Sequence, residues 1–351
     1  MARTRERPAR GARGARDPLP VPAAQSNLPD ILRAEVERAA DYARASRSPA
    51  TLRAYGSDWA IFEAWCRTRG LASLPATPAI VATFLAFEAD RGIKANTIGR
   101  RLAAIGYHHR QAGVDPPQEQ SGAGAMLEVL AGIRNALGTR KDRKTPADAD
   151  ALGAMLATIT GDDLRALRDR AVLAVGMAAA LRRSELVALW IEDVELPAEG
   201  LRLLIGRSKT DQAGEGATIP IPEGRRIRPK ALLLAWSGAA MAAAQELKNP
   251  LITFKTGPLF RRLTRGGELT ADPMSDRAVA RLVQRCAAAA GLNPAKYAGH
   301  SLRAGFLTEA ARQGASIFKM RDVSRHKSVQ VLSDYVRDAE LFHDHAGAKF
   351  L

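Results

Sequence analysis

Apolar residues recur three and four positions apart over most of this 351-residue chain, which is the spacing of an amphipathic helix. Ser48-Pro49 and Thr77-Pro78 are typical helix starts, because the hydroxyl caps free N–H groups and Pro fits the first turn. One apolar face follows the first start signal: Leu52, Tyr55, Trp59, Phe62 and Trp65. The pattern predicts a mainly helical protein.

Residues 28–137 are predicted to form a compact all-helical domain with a basic face. Its third helix places Ile98, Leu102 and Ile105 inside, and Arg100 and Arg101 mostly outside, where they would contact DNA. A fourth helix covers about residues 125–137.

Two basic segments flank this domain. Residues 1–27 contain Arg, Pro, Gly and Ala without an apolar period, which predicts a disordered basic tail. A basic arm on DNA and a mitochondrial-type presequence remain alternatives, whereas a secretory signal would need an apolar segment. Residues 138–145 are polar and basic and are interpreted as an interdomain linker, running along DNA or simply connecting the domains.

Residues 146–351 are predicted to form an α+β domain. After its first helices, the β-forming residues of 201–205 and 217–221 enclose a polar loop, which is typical of an antiparallel hairpin. Helices are expected from about residue 225 to the end. Within them Ser275 caps a helix on which Arg277, Arg281 and Arg285 share one face. That face suits phosphates or guanine edges, although a solvated surface explains it equally well.

The chain carries 52 Lys and Arg against 37 Asp and Glu, a net charge of +15. This excess favours a nucleic-acid partner, because phosphate contacts release counterions, although anionic membranes and an Arg-rich composition are alternatives. Cys66 and Cys286 form no disulfide or zinc pattern, and no apolar run reaches the roughly 18 residues that span a bilayer. We therefore expect a cytoplasmic protein.

Five short segments of the second domain combine basic, imidazole and phenol groups in a fixed order. They are residues 179–186, 207–211, 299–303, 324–328 and 333–337, which carry Arg182 with Glu185, Lys209, His300 with Arg303, His326, and Tyr335. Each has an ordinary explanation, such as a surface ion pair, a loop lysine, a helix cap or a packed tyrosine. Their joint occurrence in this order has no such ordinary explanation.

In this order the segments resemble the tyrosine recombinase (phage integrase) family, of the Cre-like, bacterial integrase type, over about residues 28–345. The helix from Ser48 to Cys66 is also similar to the core-binding domain of that family. The resemblance implies a SAM-like core-binding domain, followed by a catalytic domain of the DNA breaking-rejoining enzyme fold. It implies site-specific cutting and rejoining of DNA for integration, excision or resolution.

The resemblance assigns a role to each residue. Tyr335 would be the nucleophile that forms a 3′-phosphotyrosyl link and leaves a free 5′-hydroxyl. Lys209 would protonate the leaving group, and His300 would assist proton transfer. Glu185 would be a partner of the reacting groups and would take no part in the chemistry itself. The scissile phosphate would be bound by three residues: Arg182, Arg303 and His326.

These roles agree with the chemistry of phosphate transfer. Attack adds a second negative charge to the phosphodiester, and the planar, permanently charged guanidinium group suits its oxygens. The phosphotyrosyl bond conserves the energy of the broken bond, so no cofactor is expected. No Walker-type sequence or clustered carboxylates are present, and His343 and His345 alone make a poor metal site.

Two residues depart from the family pattern, which usually has Gly at both positions. Ala180 precedes Leu181-Arg182, so the local turn cannot rely on a glycine conformation, and Arg325 precedes His326. We favour simple tolerance of Arg325, with a third cation facing the phosphate as the alternative. Neither change removes a reacting group.

The expected partners are double-stranded DNA at specific sites and further copies of this chain in a tetramer on synapsed DNA, within a bacterial, nucleoid-associated setting. The apolar C-terminal residues would pack on a neighbouring protomer or on their own domain: Leu341, Phe342, Phe350 and Leu351. A type IB topoisomerase-like relaxing enzyme and a non-catalytic DNA-binding protein on the same fold are the alternatives. The DNA site and any accessory protein are not specified by the sequence.

Overall fold

The computed structural model describes residues 30–140, 143–206, 216–247, 249 and 252–339. The chain divides into two compact units, Met1–Lys141 and Asp142–Leu351. Several predictions lie outside the described residues: the tail at 1–27, Lys209 in the hairpin loop, and the C-terminal apolar residues with His343 and His345.

The first unit is all helical within the described residues. Ser48 Oγ accepts from the Thr51 N–H at 3.2 Å and Thr77 Oγ1 from the Ile80 N–H at 3.4 Å, so both predicted caps form. Large side chains fill the core, among them Phe62, Trp65, Phe84, Ile98 and Ile105. The helices are α1 (Asp30–Ala45), α2 (Pro49–Arg67), α3 (Pro78–Asp90), α4 (Ala95–Gln111) and α5 (Ala123–Leu137).

The two arginines of α4 have different surroundings. Arg100 is exposed, as expected, and donates to both oxygens of Asp58 at 2.7 and 3.1 Å. Arg101 is only 8% exposed and pairs with the fully buried Glu88 of α3. The prediction that Arg101 lies outside is wrong, because its position three residues after Ile98 turns it inward, where Glu88 and Asp58 compensate its charge.

The second unit combines helices with two small antiparallel sheets. The predicted hairpin pairs β2 with β3, with Leu203 opposite Ile219, and β1 adds a third strand; β4 and β5 form a separate hairpin. The elements are α6 (Ala149–Ala157), α7 (Leu164–Ala178), α8 (Arg183–Leu186), β1 (Val194–Glu195), β2 (Gly200–Ile205), β3 (Ala217–Pro222), α9 (Pro229–Glu246), β4 (Arg261–Leu263), β5 (Leu269–Pro273), α10 (Asp276–Ala289), α11 (His300–Arg312), α12 (Ile317–Ser324) and α13 (Val329–Ala339).

The β4–β5 hairpin corrects the expectation that only helices follow residue 225. Its turn forms where the Thr264 N–H donates to the Glu268 carbonyl at 2.9 Å and Gly267 adopts a φ of 92°. The signal was weak, because β4 has three residues and two of them are arginines. The Gly266-Gly267 pair was the available indication of a turn.

Two apolar clusters hold this unit together. The larger one surrounds α7 and includes Leu173, Trp236 and Phe260, and the Trp236 indole donates to the Leu259 carbonyl at 2.9 Å. The smaller one joins α11, α12 and α13 through Leu307, Met320, Leu332 and neighbouring side chains. These clusters fix the ends of the helices that carry the predicted site residues.

Candidate active site

The turn between α7 and α8 places Arg182. Ala180 adopts a left-handed conformation with φ 47°, and its N–H donates to the Met177 carbonyl at 2.8 Å. The turn therefore keeps the conformation that glycine favours, although a residue with a Cβ costs about 1–2 kcal/mol there. Arg182 caps α8, and its N–H donates to Glu185 Oε2 at 2.9 Å.

Glu185 is a buried carboxylate shared by two guanidinium groups. Its Oε1 accepts from Arg182 Nη1 at 2.5 Å, and its Oε2 accepts from Arg325 Nη2 at 2.6 Å. Burial alone would raise the pKa of Glu185, but the charge of Arg325 and the bonds and charge from Arg182 outweigh it and lower that pKa. Glu185 is therefore ionised at neutral pH.

Arg303 lies at the centre of the site and is completely buried. Its Nη1 donates to the Ala180 carbonyl at 2.7 Å and its Nη2 to the Ser324 carbonyl, while the same Nη2 lies 3.2 and 3.3 Å from the two ring nitrogens of His326. Burial, followed by the charge of Arg182, lowers the pKa of Arg303 to about 9, so the group remains a cation at neutral pH. Arg303 thus joins the α7–α8 turn to the end of α12.

His326 follows α12 and is half-buried. Its Nδ1 lies 2.8 Å from Ser324 Oγ. Burial first, and then the positive charges of Arg303, Arg182 and other neighbours, lower the pKa of His326 to about 3. The imidazole is therefore neutral at physiological pH, and a bound phosphate anion would raise its pKa.

His300 begins α11, one turn before Arg303. The imidazole is exposed, yet the surrounding protein removes part of its hydration, and this desolvation, followed by the charges of Arg303 and Arg182, lowers the pKa of His300. A neutral imidazole accepts a proton.

Tyr335 projects from α13 and packs against the small cluster of Leu307, Met320 and Leu332. Burial raises the pKa of the Tyr335 phenol, and the charges of Arg143 and Arg303 only partly oppose this effect. The phenol is therefore protonated before reaction and needs a group that removes its proton. Arg143 also pairs with α13, since its Nη2 lies 2.5 Å from Asp334 Oδ2.

The structure brings most of the predicted catalytic residues together. Arg182 contacts Glu185, and Arg303 contacts His326. The charge of Arg182 reaches Arg303 and His326, and the charge of Arg303 reaches His300 and Tyr335. Sequence reasoning missed the contacts of Ser324 and Arg143, and it favoured tolerance for Arg325, which pairs with Glu185. For Arg325 a signal existed, because an arginine stands where the family pattern usually has glycine.

The arginines of α10 all lie on an exposed face, and their contact with DNA stays a prediction. The three residues are Arg277, Arg281 and Arg285. Arg285 Nη2 lies 2.5 Å from Asp169 Oδ2, so Arg285 already has an anionic partner. Beside this face, Arg183 of α8 pairs with Asp276 at 3.2 Å.

Two further findings concern metals and membranes. Within the described residues, no three His, Cys, Asp or Glu side chains lie close enough together to hold a metal ion. None of the helices in the described part of the chain combines the length and apolarity needed to cross a membrane.

Comparisons with known proteins agree with this geometry. The model of the phage integrase family matches residues 147–341. An integrase/recombinase XerD homologue of Selenomonas ruminantium is 34% identical over 303 residues, covering 86% of this chain and 85% of the relative. The recombinase Cre of Escherichia phage P1 is 22% identical over 291 residues, covering 79% of this chain and 80% of the relative.

Solved structures show the same fold. The XerH site-specific recombinase, in a post-cleavage complex with palindromic difH substrate, has a TM-score of 0.57 and 18% identity, covering 78% of this chain and 73% of XerH. The Tn1549 transposon integrase in complex with transposon right-end DNA has a TM-score of 0.58 and 16% identity, covering 86% of this chain and 95% of the integrase. The predicted fold class, mainly helical with a small antiparallel hairpin sheet, is confirmed.

Proposed function

This chain belongs to the phage integrase family and is a tyrosine-type site-specific recombinase, and from that premise we propose that Tyr335 is its nucleophile. The observation that carries the proposal is the setting of Arg303. This buried cation is held by the Ala180 and Ser324 carbonyls, contacts His326, and exerts its charge on Tyr335. Such a preorganised cation stabilises negative charge that develops during attack on a phosphodiester.

The scissile phosphate is bound by Arg182, Arg303 and His326. Both arginines are cations, while the neutral His326 donates one N–H to a non-bridging oxygen. Because the guanidinium groups are held before DNA arrives, little reorganisation is needed when the second negative charge forms.

Cleavage is a transfer of the phosphoryl group from a 5′-oxygen to the phenol. His300 accepts the Tyr335 proton as the phenol oxygen bonds to phosphorus, and the phosphorus–5′-oxygen bond breaks. Lys209 gives a proton to the departing 5′-oxygen. The product is a 3′-phosphotyrosyl link with a free 5′-hydroxyl, and attack by another 5′-hydroxyl reverses the steps and joins new strands.

The partner of this site is duplex DNA at a specific recombination site. Structural neighbours of this fold include a recombinase on difH substrate and an integrase on transposon-end DNA. We propose that the helical unit, residues 28–137, and the catalytic unit, 146–351, both bind DNA, and that four copies assemble on two synapsed sites. The charge of +15 implies affinity that falls steeply with salt.

The test is to trap the covalent complex. Wild-type protein is incubated with fragmented genomic DNA, denatured, and the DNA that remains attached is sequenced to map the site. The Tyr335→Phe variant must form no covalent complex, and it should bind a duplex of the mapped site within about threefold of wild type, because the hydroxyl is a small part of the interface.

Tyr297→Phe makes the same chemical change elsewhere in the catalytic unit and should leave adduct formation intact. A covalent complex formed by Tyr335→Phe would contradict the assignment of the nucleophile. Relaxation of a supercoiled plasmid that carries the mapped site, without any joining of paired sites, would indicate a topoisomerase activity instead.

A further inference from the structure

Arg325 occupies a backbone position that disfavours its own side chain. It follows α12 with φ 56° and ψ 41°, and its N–H donates to the Arg321 carbonyl at 2.7 Å. Glycine adopts this left-handed conformation freely, whereas a residue with a Cβ does not. A bulky residue held in such a conformation beside reacting groups indicates that its side chain has a function.

The Arg325 side chain is built into the site rather than solvated. It is 12% exposed, its Nη2 donates to Glu185 Oε2 at 2.6 Å, and its Nη1 donates to the Val323 carbonyl at 3.2 Å. The contact therefore connects the end of α12 to α8, the helix that Arg182 caps. The interpretation of Arg325 as merely tolerated does not explain a buried ion pair at this place.

The charges of the site explain what Arg325 contributes. Glu185 pairs with Arg182, and one carboxylate against one guanidinium would largely cancel the charge that Arg182 presents to a phosphate. Arg325 supplies a second cation to the same carboxylate. Arg303, which is held by two carbonyls and interacts with Glu185 through charge alone, adds a third cation. Three guanidinium groups and one carboxylate leave two net positive charges. A phosphodiester under attack carries two negative charges.

We propose that Arg325 is a positioning residue for phosphoryl transfer, which holds and neutralises Glu185 so that Arg182 keeps its charge and orientation toward the scissile phosphate. The proposal rests on the proposed function. The field of Arg325 extends to the other phosphate-binding groups, since its charge contributes to the lowered pKa values of Arg303 and His326.

The experiment measures single-turnover adduct formation at saturating concentrations of a synthetic duplex that contains the mapped site. Arg325→Gly removes the guanidinium and gives the backbone its preferred residue, and we expect its rate to fall about 10- to 100-fold, somewhat less than for a donor that touches the phosphate itself. Arg325→Lys restores a cation and should recover to within about fivefold of wild type. Arg325→Met, which keeps the bulk without the charge, replaces Arg325→Gly if that variant does not fold.

Arg321→Ala is the matched control, because it removes the same charge from an exposed position of α12, four residues before Arg325. Its rate should stay within about twofold of wild type, since exposed charges are screened by solvent and salt. A rate for Arg325→Gly within twofold of wild type would overturn the proposal. If wild-type protein forms no adduct, the proposed function itself fails, which is a separate result.

A second substrate separates charge from structural support. A methylphosphonate at the scissile position replaces one charged oxygen by a methyl group, so the reacting group carries one negative charge fewer. If Arg325 acts through charge balance, the difference between wild type and Arg325→Gly should shrink to about threefold on this substrate. An unchanged difference would mean that Arg325 only supports the fold, and would refute the proposal.

Discussion

Both units of this protein bury charged side chains, but they balance them differently. In the helical unit two buried carboxylates, Asp58 and Glu88, surround the buried Arg101, and the exposed Arg91 and Arg100 complete the pairs. At the candidate active site of the catalytic unit one carboxylate, Glu185, pairs with Arg182 and Arg325 and interacts with the charge of Arg303. In the first arrangement one buried cation lies between two buried carboxylates, and the surplus positive charge is on exposed arginines, where solvent screens it. In the second, two net positive charges remain on groups that are buried or largely buried.

The comparison teaches how to separate a structural ion cluster from a functional one. Burial of a charge is costly, so a buried cluster is normally neutralised by its own members. A cluster that stays cationic instead has an anionic ligand outside the protein as its natural counterion. Burial first, and then this uncompensated charge, lowers the pKa values of Arg303 and His326.

The largest effect should follow the loss of Arg303. Arg303→Gln keeps polar atoms near the Ala180 and Ser324 carbonyls but removes the buried cation. We expect adduct formation to slow about 10²- to 10³-fold, the usual consequence of removing one preorganised donor. Single-turnover cleavage of the mapped duplex measures this. Loss of stability with an unchanged rate would place Arg303 among the structural charges.

The matching change in the helical unit should affect stability instead. Arg101→Met leaves Glu88 buried with only the exposed Arg91 as its partner. We expect the free energy of unfolding to fall by about 3 kcal/mol, because a buried charge loses its main partner. Urea denaturation measures the loss. At a temperature where the variant is folded, the cleavage rate at saturating DNA should stay near that of wild type; a large decrease would contradict the structural assignment.

Local signals were predictable from the sequence. Ser48 and Thr77 cap their helices, and β2 pairs with β3, because caps and alternation depend on neighbouring residues. The candidate active-site residues were found through their order along the chain. The assignment of Lys209 remains a prediction, as its segment lies outside the described residues.

What failed depends on contacts between distant segments. The spacing of α4 turns Arg101 inward, three residues after Ile98, but it does not reveal that α3 brings Glu88 there as the counterion. Arg325 was interpreted as tolerated because its ion pair with Glu185 appears only when α8 and α12 are in place. A lone charged residue in a sequence therefore gives little information about its burial until its counterion is located.

One histidine in each unit, the buried His109 and the half-buried His326, allows a pH test of the comparison. Burial lowers the pKa of His109, opposed by its bonds to Ile105 and Ala76, whereas charges add to burial at His326, whose pKa falls to about 3. As pH falls below about 6.5, His326 binds a proton in the unfolded chain but stays neutral in the folded protein, so the free energy of unfolding decreases. Between pH 7.5 and 5.5 the free energy of unfolding of wild type should fall by about 1 kcal/mol more than that of His326→Gln.

Urea denaturation of both proteins at the two pH values measures this difference. Equal decreases in the free energy of unfolding would mean that folding does not lower the pKa of His326. Salt sharpens the contrast between the units. The part of the His326 shift that comes from neighbouring arginines should weaken at about 1 M salt, while the burial of His109 is unaffected.

The smallest effect concerns backbone strain, which also divides the two units. Within the described residues, the non-glycine positions with positive φ are Ala180 and Arg325, both at the catalytic cluster, whereas the helical unit uses glycines. Ala180→Gly should stabilise the protein by about 0.5 kcal/mol, because relief of left-handed strain exceeds the added entropy of the unfolded chain. Gly113→Ala, at φ 72° with open space around it, is the opposite change and should destabilise by about 1 kcal/mol. Thermal denaturation measures both variants. If Ala180→Gly is destabilising, the turn that carries the Arg303 acceptor is not strained, and the positive φ at the catalytic cluster needs another cause.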